Sequence, residues 1–135
     1  MSYIGYALKV AKQYYSKDKY DHAIRVAAYV AENDLIPDDK MDDCIALAIM
    51  HDLLEDTTYE INSRLEPFFN NCLKLITKSK DQDYIEYIKC IRNHATTHNL
   101  AYWVKLADMK DHLAQIETLT EKLRDKYLAA LPYLL

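Results

Sequence analysis

Apolar residues recur every three or four positions along most of this sequence, which is the spacing of one face of an α-helix. The first such stretch covers residues 3–15, and the second is "DKYDHAIRVAAYVAEN", with a break around residues 16–18. "DLIPDDK" then supplies a proline and aspartates that can cap a helix running from about Asp39 through His51 toward Glu55. The first half of the chain therefore predicts three helices.

The same spacing continues in the second half. Thr57 and Thr58 predict the start of a helix over "YEINSRLEPFF", which Pro67 should interrupt before "NNCLKLITK" begins another. "DYIEYIKCIRNH" and "LAYWVKLADMKDHLAQIETL" predict two helices joined by the connector "ATTHN", and a last helix is expected over roughly 120–130. We therefore expect an all-α, single-domain bundle of about seven or eight helices over residues 1–135.

The composition agrees with a helical fold. The sequence contains 1 glycine and 3 prolines among its 135 residues, so it has few of the residues that tight hairpin turns require. Apolar residues make up 50% of the chain, and a chain of this size can bury one continuous core without covalent crosslinks.

The charge balance and the cysteine content limit the partners and the cellular compartment that we expect for this protein. There are 17 basic and 21 acidic residues and no basic block, so we expect no polymeric nucleic acid partner. Cys44, Cys72 and Cys90 are odd in number and far apart, as free thiols in a reducing compartment would be. No signal-peptide pattern and no apolar run of about 18 residues is present, so we expect a cytoplasmic protein with no membrane partner.

The segment "IALAIMHDLLEDTTYE" places ionisable side chains directly after a strongly apolar stretch. Residues four apart on a helix share a side, so His51 should lie near Glu55, and Asp52 near Asp56. Imidazole and carboxylates together are ligands for Zn, Mn, Fe or Mg-type cations. A solvated helix end is the alternative, although the dipole at a helix C-terminus disfavours acidic groups.

One helix rarely completes a coordination sphere, so further ligands should lie on other apolar helices. His22 in "YDHAIRVAAYV" and Asp108 in "WVKLADMKDHL" both fit this requirement. The alternatives are that His22 is a hydrogen-bonded core histidine, and that Asp108 is an exposed acid or a structural partner of Lys105.

A second histidine pair, His94 and His98, has the i,i+4 spacing of a zinc-binding pair. The intervening "ATT" looks more like a turn than a helix, which favours two exposed loop histidines. A second metal site and a role in substrate binding remain the alternatives for this pair.

Taken in order, His22, His51-Asp52 and Asp108 form the series for which the HD phosphohydrolase superfamily is named, and the chain resembles that superfamily over nearly its whole length. More narrowly, "MHDLLEDT" and "VKLAD" look like segments of the alarmone hydrolases related to RelA and SpoT, whose hydrolase domains carry an H…HDxxEDT…LAD series.

The resemblance implies an HD-type helical bundle that binds one divalent cation, manganese first, with zinc, iron, cobalt or magnesium as alternatives. In that family the acidic pair matched by Glu55 and Asp56 activates water and transfers protons, so these two are the implied catalytic residues. The implied metal ligands are His22, His51, Asp52 and Asp108.

The substrate contacts are less well matched than the metal ligands. The loop before the first histidine reads "QYYSKDKYD" and contains no arginine, and His112 stands where the family has an asparagine that contacts substrate. Arg25, Lys105 and Lys110 are each within about one turn of an implied ligand, so they are candidate phosphate contacts, or else surface cations.

The function implied is metal-dependent hydrolysis of a small nucleotide, first of all removal of pyrophosphate from the 3′ position of guanosine 3′,5′-bis(diphosphate). One alternative is an HD-type phosphatase that acts on nucleoside monophosphates. An alternative of another class is a non-catalytic nucleotide-binding or interaction module, which would have no physical need for Glu55 and Asp56.

Overall fold

The computed structural model describes residues 2–135, and all regular structure in that range is helical. Seven helices of nine residues or more are accompanied by one helical turn of four residues, which confirms the expected all-α bundle. The elements are α1 (Ile4–Tyr14), α2 (Lys17–Ala31), α3 (Asp38–Met50), α4 (Leu53–Asp56), α5 (Pro67–Leu75), α6 (Tyr84–Asn93), α7 (Asn99–Ala114) and α8 (Glu121–Leu134).

Helix α3 occupies the centre of the bundle, where it packs against α1, α2, α5 and α7. Every side chain from Ala46 to Met50 is buried, which explains the nearly continuous apolar run in the sequence. The second half of α7 also packs with α6 and α8, and together they enclose a smaller apolar cluster around Tyr87, Met109 and Tyr127. Helices α2, α3 and α7 all pack against one another.

The predicted helix from Asp39 to Glu55 is interrupted at His51 and Asp52. The phenol of Tyr15 donates a hydrogen bond to the carbonyl of Ile49 (3.0 Å) and accepts one from the backbone N–H of Asp52 (3.1 Å). Because this buried hydroxyl pairs with both backbone groups, α3 ends at Met50 and the chain turns before α4 begins.

No helix begins at Thr57 and Thr58, so that prediction is wrong. Thr57 instead closes α4: its hydroxyl donates to the carbonyl of Leu53 (2.6 Å) and accepts from the N–H of Tyr59 (3.1 Å). Such side-chain bonds to nearby backbone compete with a helix, and residues 57–66 are irregular. Pro67 does not interrupt a helix; it is the first residue of α5, where its missing N–H costs nothing.

The remaining elements follow the prediction with shifted ends. Residues 95–98 of "ATTHN" lie in the connector between α6 and α7, and Asn99 is the first residue of α7. Helix α7 ends at Ala114, and α8 continues to Leu134. Cys44 and Cys72 are buried, whereas Cys90 is partly exposed. Within residues 2–135, the longest apolar helical stretch falls short of what crossing a bilayer requires.

Candidate metal centre

Four potential ligand atoms converge where α2, the end of α3 and α7 meet. His22 and His51 direct Nε2 at the same oxygen of Asp108, at 2.9 Å and 3.1 Å. Asp52 Oδ2 lies 3.3 Å from His51 Nε2 and 3.8 Å from His22 Nε2. The ligand atoms of all four side chains lie within 4.8 Å of one another, so the structure brings the four sequence-predicted ligands together.

The local sequence explains why these polar side chains point inward. His22 belongs to the buried face of α2, beside Ala23 and Val26, and Asp108 belongs to the buried face of α7, beside Ala107 and Met109. His22, His51 and Asp108 are each less than 10% exposed, at 7%, 3% and 3%. Groups buried this deeply must be satisfied by hydrogen bonds, ion pairs or a metal.

Both histidines are held by their other ring nitrogen. His51 Nδ1 donates to the carbonyl oxygen of Ala48 at 2.6 Å, and His22 Nδ1 donates to the carboxylate of Asp111 at 2.7 Å. Since each Nδ1 faces an acceptor, each Nε2 is the nitrogen that can present its lone pair to the centre.

Asp108 is held in its charged form by its surroundings. Its second oxygen forms an ion pair with Nζ of Lys105 (2.8 Å), which is also buried. Burial alone would favour the neutral acid, but the charge of Lys105 and hydrogen bonds from the neighbouring imidazoles hold the pKa of Asp108 well below its usual value. Asp108 is therefore not an exposed acid: it is a partner of Lys105, as one alternative held, and it also faces the cluster as a predicted ligand.

The cluster carries a strong negative potential. Burial opposes protonation of His51, yet the charge of Asp52 and the hydrogen bond to Asp108 raise the pKa of His51 to about 9. The same potential that attracts a proton attracts a divalent cation, which would compete for the same nitrogen.

Glu55 and Asp56 lie at the edge of the same site, on α4. Asp52, Glu55 and Asp56 form a second group of carboxylates whose oxygens lie within 4.8 Å of one another. Glu55 accepts the backbone N–H of Lys78 (3.0 Å), while burial and the charges of Asp52 and Asp56 raise its pKa. A carboxylate with a raised pKa is better suited to accept a proton from water near neutral pH.

The four candidate substrate contacts are distributed over three different pockets. Lys105 and His112 line the pocket that opens onto the cluster, and His112 Nε2 lies 3.3 Å from Asp108. Arg25 borders a neighbouring pocket and its Nε donates to Asp111 (2.9 Å). Lys110 lies in a third pocket, with Nζ 4.9 Å from the centre of the Tyr29 ring, so the structure does not bring it to the cluster.

Several residues of the pocket were missed by the sequence analysis. Lys78 and Lys126 line it, together with Tyr84 and Tyr127. Lys78 is the last residue of the predicted helix "NNCLKLITK", and Lys126 is on a helix with no metal ligand, so neither carried a sequence signal of its own. Asp111 and Tyr15, which bond to His22 and to the backbone of Asp52, likewise carried no sequence signal for a place beside the centre.

The four donor groups fit a divalent cation. Two neutral imidazoles and two carboxylates form a mixed nitrogen and oxygen set, which suits manganese, iron, cobalt and zinc. Both Nε2 atoms and the carboxylate oxygens of Asp52 and Asp108 lie within 4.8 Å of one another, which is close enough for one cation to contact all four residues.

Comparison with known proteins adds nothing to the assignment, since neither a protein-family model nor a curated protein matches the chain.

Proposed function

We propose that this protein is a divalent-metal-dependent phosphohydrolase of the HD type that acts on a small phosphorylated nucleotide. The observation that carries the proposal is the position of Glu55 and Asp56 in the pocket lined by His51, Asp52 and Asp108. These three residues, together with His22, are the four converging donors. A site built only to bind a metal would need the donors, but it would not need two further carboxylates at the open side.

The proposed chemistry divides between the cation and the chain. A bound divalent cation lowers the pKa of a coordinated water and polarises a phosphoryl oxygen. Glu55 is the residue proposed to accept the proton of the attacking water, since its pKa is raised and its carboxylate faces the pocket. Asp56, which pairs with Lys19 (2.9 Å), is proposed to orient that water and to assist proton transfer.

The lysines that line the pocket support the proposal of an anionic substrate. Nζ of Lys126 lies 4.3 Å from the centre of the Tyr84 ring, and Nζ of Lys105 lies 5.4 Å from the same centre. Burial and the positive charges of Lys105 and Lys78 lower the pKa of Lys126, and all three lysines line the pocket. Lysines gathered in this way beside a metal-type site fit the phosphate groups of a nucleotide.

Guanosine 3′,5′-bis(diphosphate) is the substrate that we propose first, with pyrophosphate as the leaving product. Its support is the resemblance of "MHDLLEDT" and "VKLAD" to the alarmone hydrolases. In addition, Lys78, Lys105 and Lys126 line the pocket, which suits a substrate carrying linked phosphates. Arg25, Lys110 and His112 stay predictions as substrate contacts, and His112 is the one of the three that lines the pocket.

The test is a screen of nucleotides against the metal-free protein and the protein supplied with Mn²⁺. Release of pyrophosphate from guanosine 3′,5′-bis(diphosphate) is the expected result. Release of inorganic phosphate from nucleoside monophosphates would instead favour the alternative activity, a nucleotide phosphatase. Metal binding without turnover of any nucleotide would contradict the enzymatic proposal and favour a non-catalytic binding module.

A further inference from the structure

Asp111 forms the most completely buried polar contact near the candidate metal centre, with an exposed fraction of 0%. It lies on α7 one turn beyond Asp108, and both of its carboxylate oxygens are engaged. One oxygen accepts Nδ1–H of His22 at 2.7 Å, and the other accepts Nε–H of Arg25 at 2.9 Å. The series Arg25, Asp111 and His22 therefore connects a partly exposed guanidinium to a proposed metal ligand.

The two histidines of the centre are oriented by different acceptors. His51 Nδ1 donates to the backbone carbonyl of Ala48, which is neutral, whereas His22 Nδ1 donates to a carboxylate. A carboxylate behind a metal-binding imidazole fixes its tautomer and makes the opposite nitrogen a stronger donor. His22 Nε2 is that opposite nitrogen, and it faces Asp108 at 2.9 Å.

We infer that Asp111 is a positioning residue that sets the tautomer of His22 and thereby the metal affinity of the centre. Arg25 balances the buried charge of Asp111 and fixes the orientation of its carboxylate. This inference rests on the metal centre of the proposed function, and it assigns Arg25 to the support of that centre, behind His22.

Asp111→Asn is the sharpest variant because Arg25 determines which way the new amide turns. Arg25 Nε needs an acceptor, so the amide oxygen faces Arg25 and the amide NH₂ faces His22 Nδ1. His22 Nδ1 must then accept a hydrogen bond, which moves its proton to Nε2, the nitrogen that points into the centre. We expect metal affinity to fall about 10- to 100-fold.

A second substitution should reverse part of this loss. In the double variant Asp111→Asn with Arg25→Met, nothing holds the amide oxygen away from His22, so the amide can rotate and accept Nδ1–H again. The double variant should bind the metal more tightly than Asp111→Asn alone, although it carries one more change. A role of Asp111 in packing alone predicts no such rescue.

The experiment is calorimetric titration of Zn²⁺ and Mn²⁺ into the metal-free protein and its variants, after thermal melts establish that each variant is folded. Asp81→Asn is the matched control, since Asp81 is exposed and the same charge is removed. Affinity of Asp111→Asn within about threefold of wild type would overturn the inference, as would a double variant no tighter than the single one. A wild-type protein that binds neither cation would instead contradict the metal centre itself.

A spectroscopic measurement on the wild-type protein provides an independent check that needs no substitution. In the zinc-loaded protein, ¹⁵N NMR of the imidazole rings should show His22 protonated on Nδ1 and bound to zinc through Nε2. Zinc bound through Nδ1 of His22 would overturn the positioning role of Asp111.

Discussion

The chain contains two pairs of neighbouring histidine rings, and their surroundings differ. The rings of His22 and His51 lie 5.3 Å apart, and those of His94 and His98 lie 5.8 Å apart. The first pair is buried and shares the carboxylate of Asp108. In the second pair, His94 is exposed and its Nδ1 donates to the carbonyl oxygen of Cys90 in α6 (2.9 Å). His98 stacks on Phe68, and its Nδ1 lies 3.1 Å from the hydroxyl of Thr97.

The difference lies in the carboxylates, because ring separation is nearly the same. Both Nε2 atoms of the buried pair point at one oxygen, and Asp52 lies beside them. Within residues 2–135, no carboxylate pairs with His94 or His98, and the candidate metal groups do not include them. Convergence of acids from separate helices therefore identifies a candidate centre better than i,i+4 spacing of histidines does.

Removing a shared acid should have the largest effect on the buried pair. We expect Asp52→Ala and Asp108→Ala to lower Mn²⁺ affinity by more than about 100-fold, beyond the effect of losing an outer partner, because each removes a proposed ligand oxygen. Asp108→Ala should also lower the free energy of unfolding by about 3–5 kcal/mol, since Lys105 would remain buried without its partner.

Calorimetry measures the affinities, and chemical denaturation measures the stabilities. Asp52, whose side chain is more exposed, serves as the ligand variant with the smaller stability cost. Unchanged affinity in both variants would show that the coordination set is wrong.

Replacing Glu55 should separate catalysis from binding at the buried pair. Glu55→Gln keeps the size of the side chain and removes the carboxylate that is proposed to take the proton of water. We expect the turnover number to fall about 10²- to 10⁴-fold with Mn²⁺ affinity nearly unchanged. Steady-state kinetics and calorimetry on the same preparation check both halves. Near-native turnover in Glu55→Gln and also in Asp56→Asn would exclude both acids from water activation.

Two lysines of α8 differ in whether they line the pocket, so their substitution should affect substrate binding differently. Lys126 lines the pocket and Lys122 is exposed on the same helix. Lys126→Met removes the charge but keeps an unbranched chain, and it should raise KM about tenfold or more, since a hydrogen bond to a charged group is worth about 1.5–3 kcal/mol. Lys122→Met should leave KM unchanged. Equal kinetics for the two variants would exclude Lys126 from substrate binding.

The sequence predicted the helices best where apolar spacing was uninterrupted. Helix α3 and most of α7 follow their apolar pattern because both are packed on several sides. The prediction failed at residues 57–66, where the hydroxyl of Thr57 bonds to nearby backbone and replaces the expected helix. Local side-chain bonding of this kind is hard to distinguish from helix capping in a sequence, because both use the same residue types.

The residues of the candidate site also differ in whether the sequence could predict them. His51 and Asp52 could be predicted because ionisable groups directly follow a buried helix, and His22 and Asp108 were candidates because each lies on an apolar helix. The resemblance then joined the four residues into one ligand set. The role of Asp111 could not be predicted, since its contact with His22 joins residues 89 positions apart. Lys126 likewise joins the pocket only because α8 packs against α6 and α7.

The most direct test of this account is a titration of Mn²⁺ into two matched double variants, His22→Ala with His51→Ala and His94→Ala with His98→Ala. Both remove two imidazoles from ring pairs of similar separation. The account predicts one bound ion per chain in the wild type and in the His94/His98 variant, and none in the His22/His51 variant. Retention of the ion without His22 and His51, or its loss without His94 and His98, would contradict the proposed metal centre.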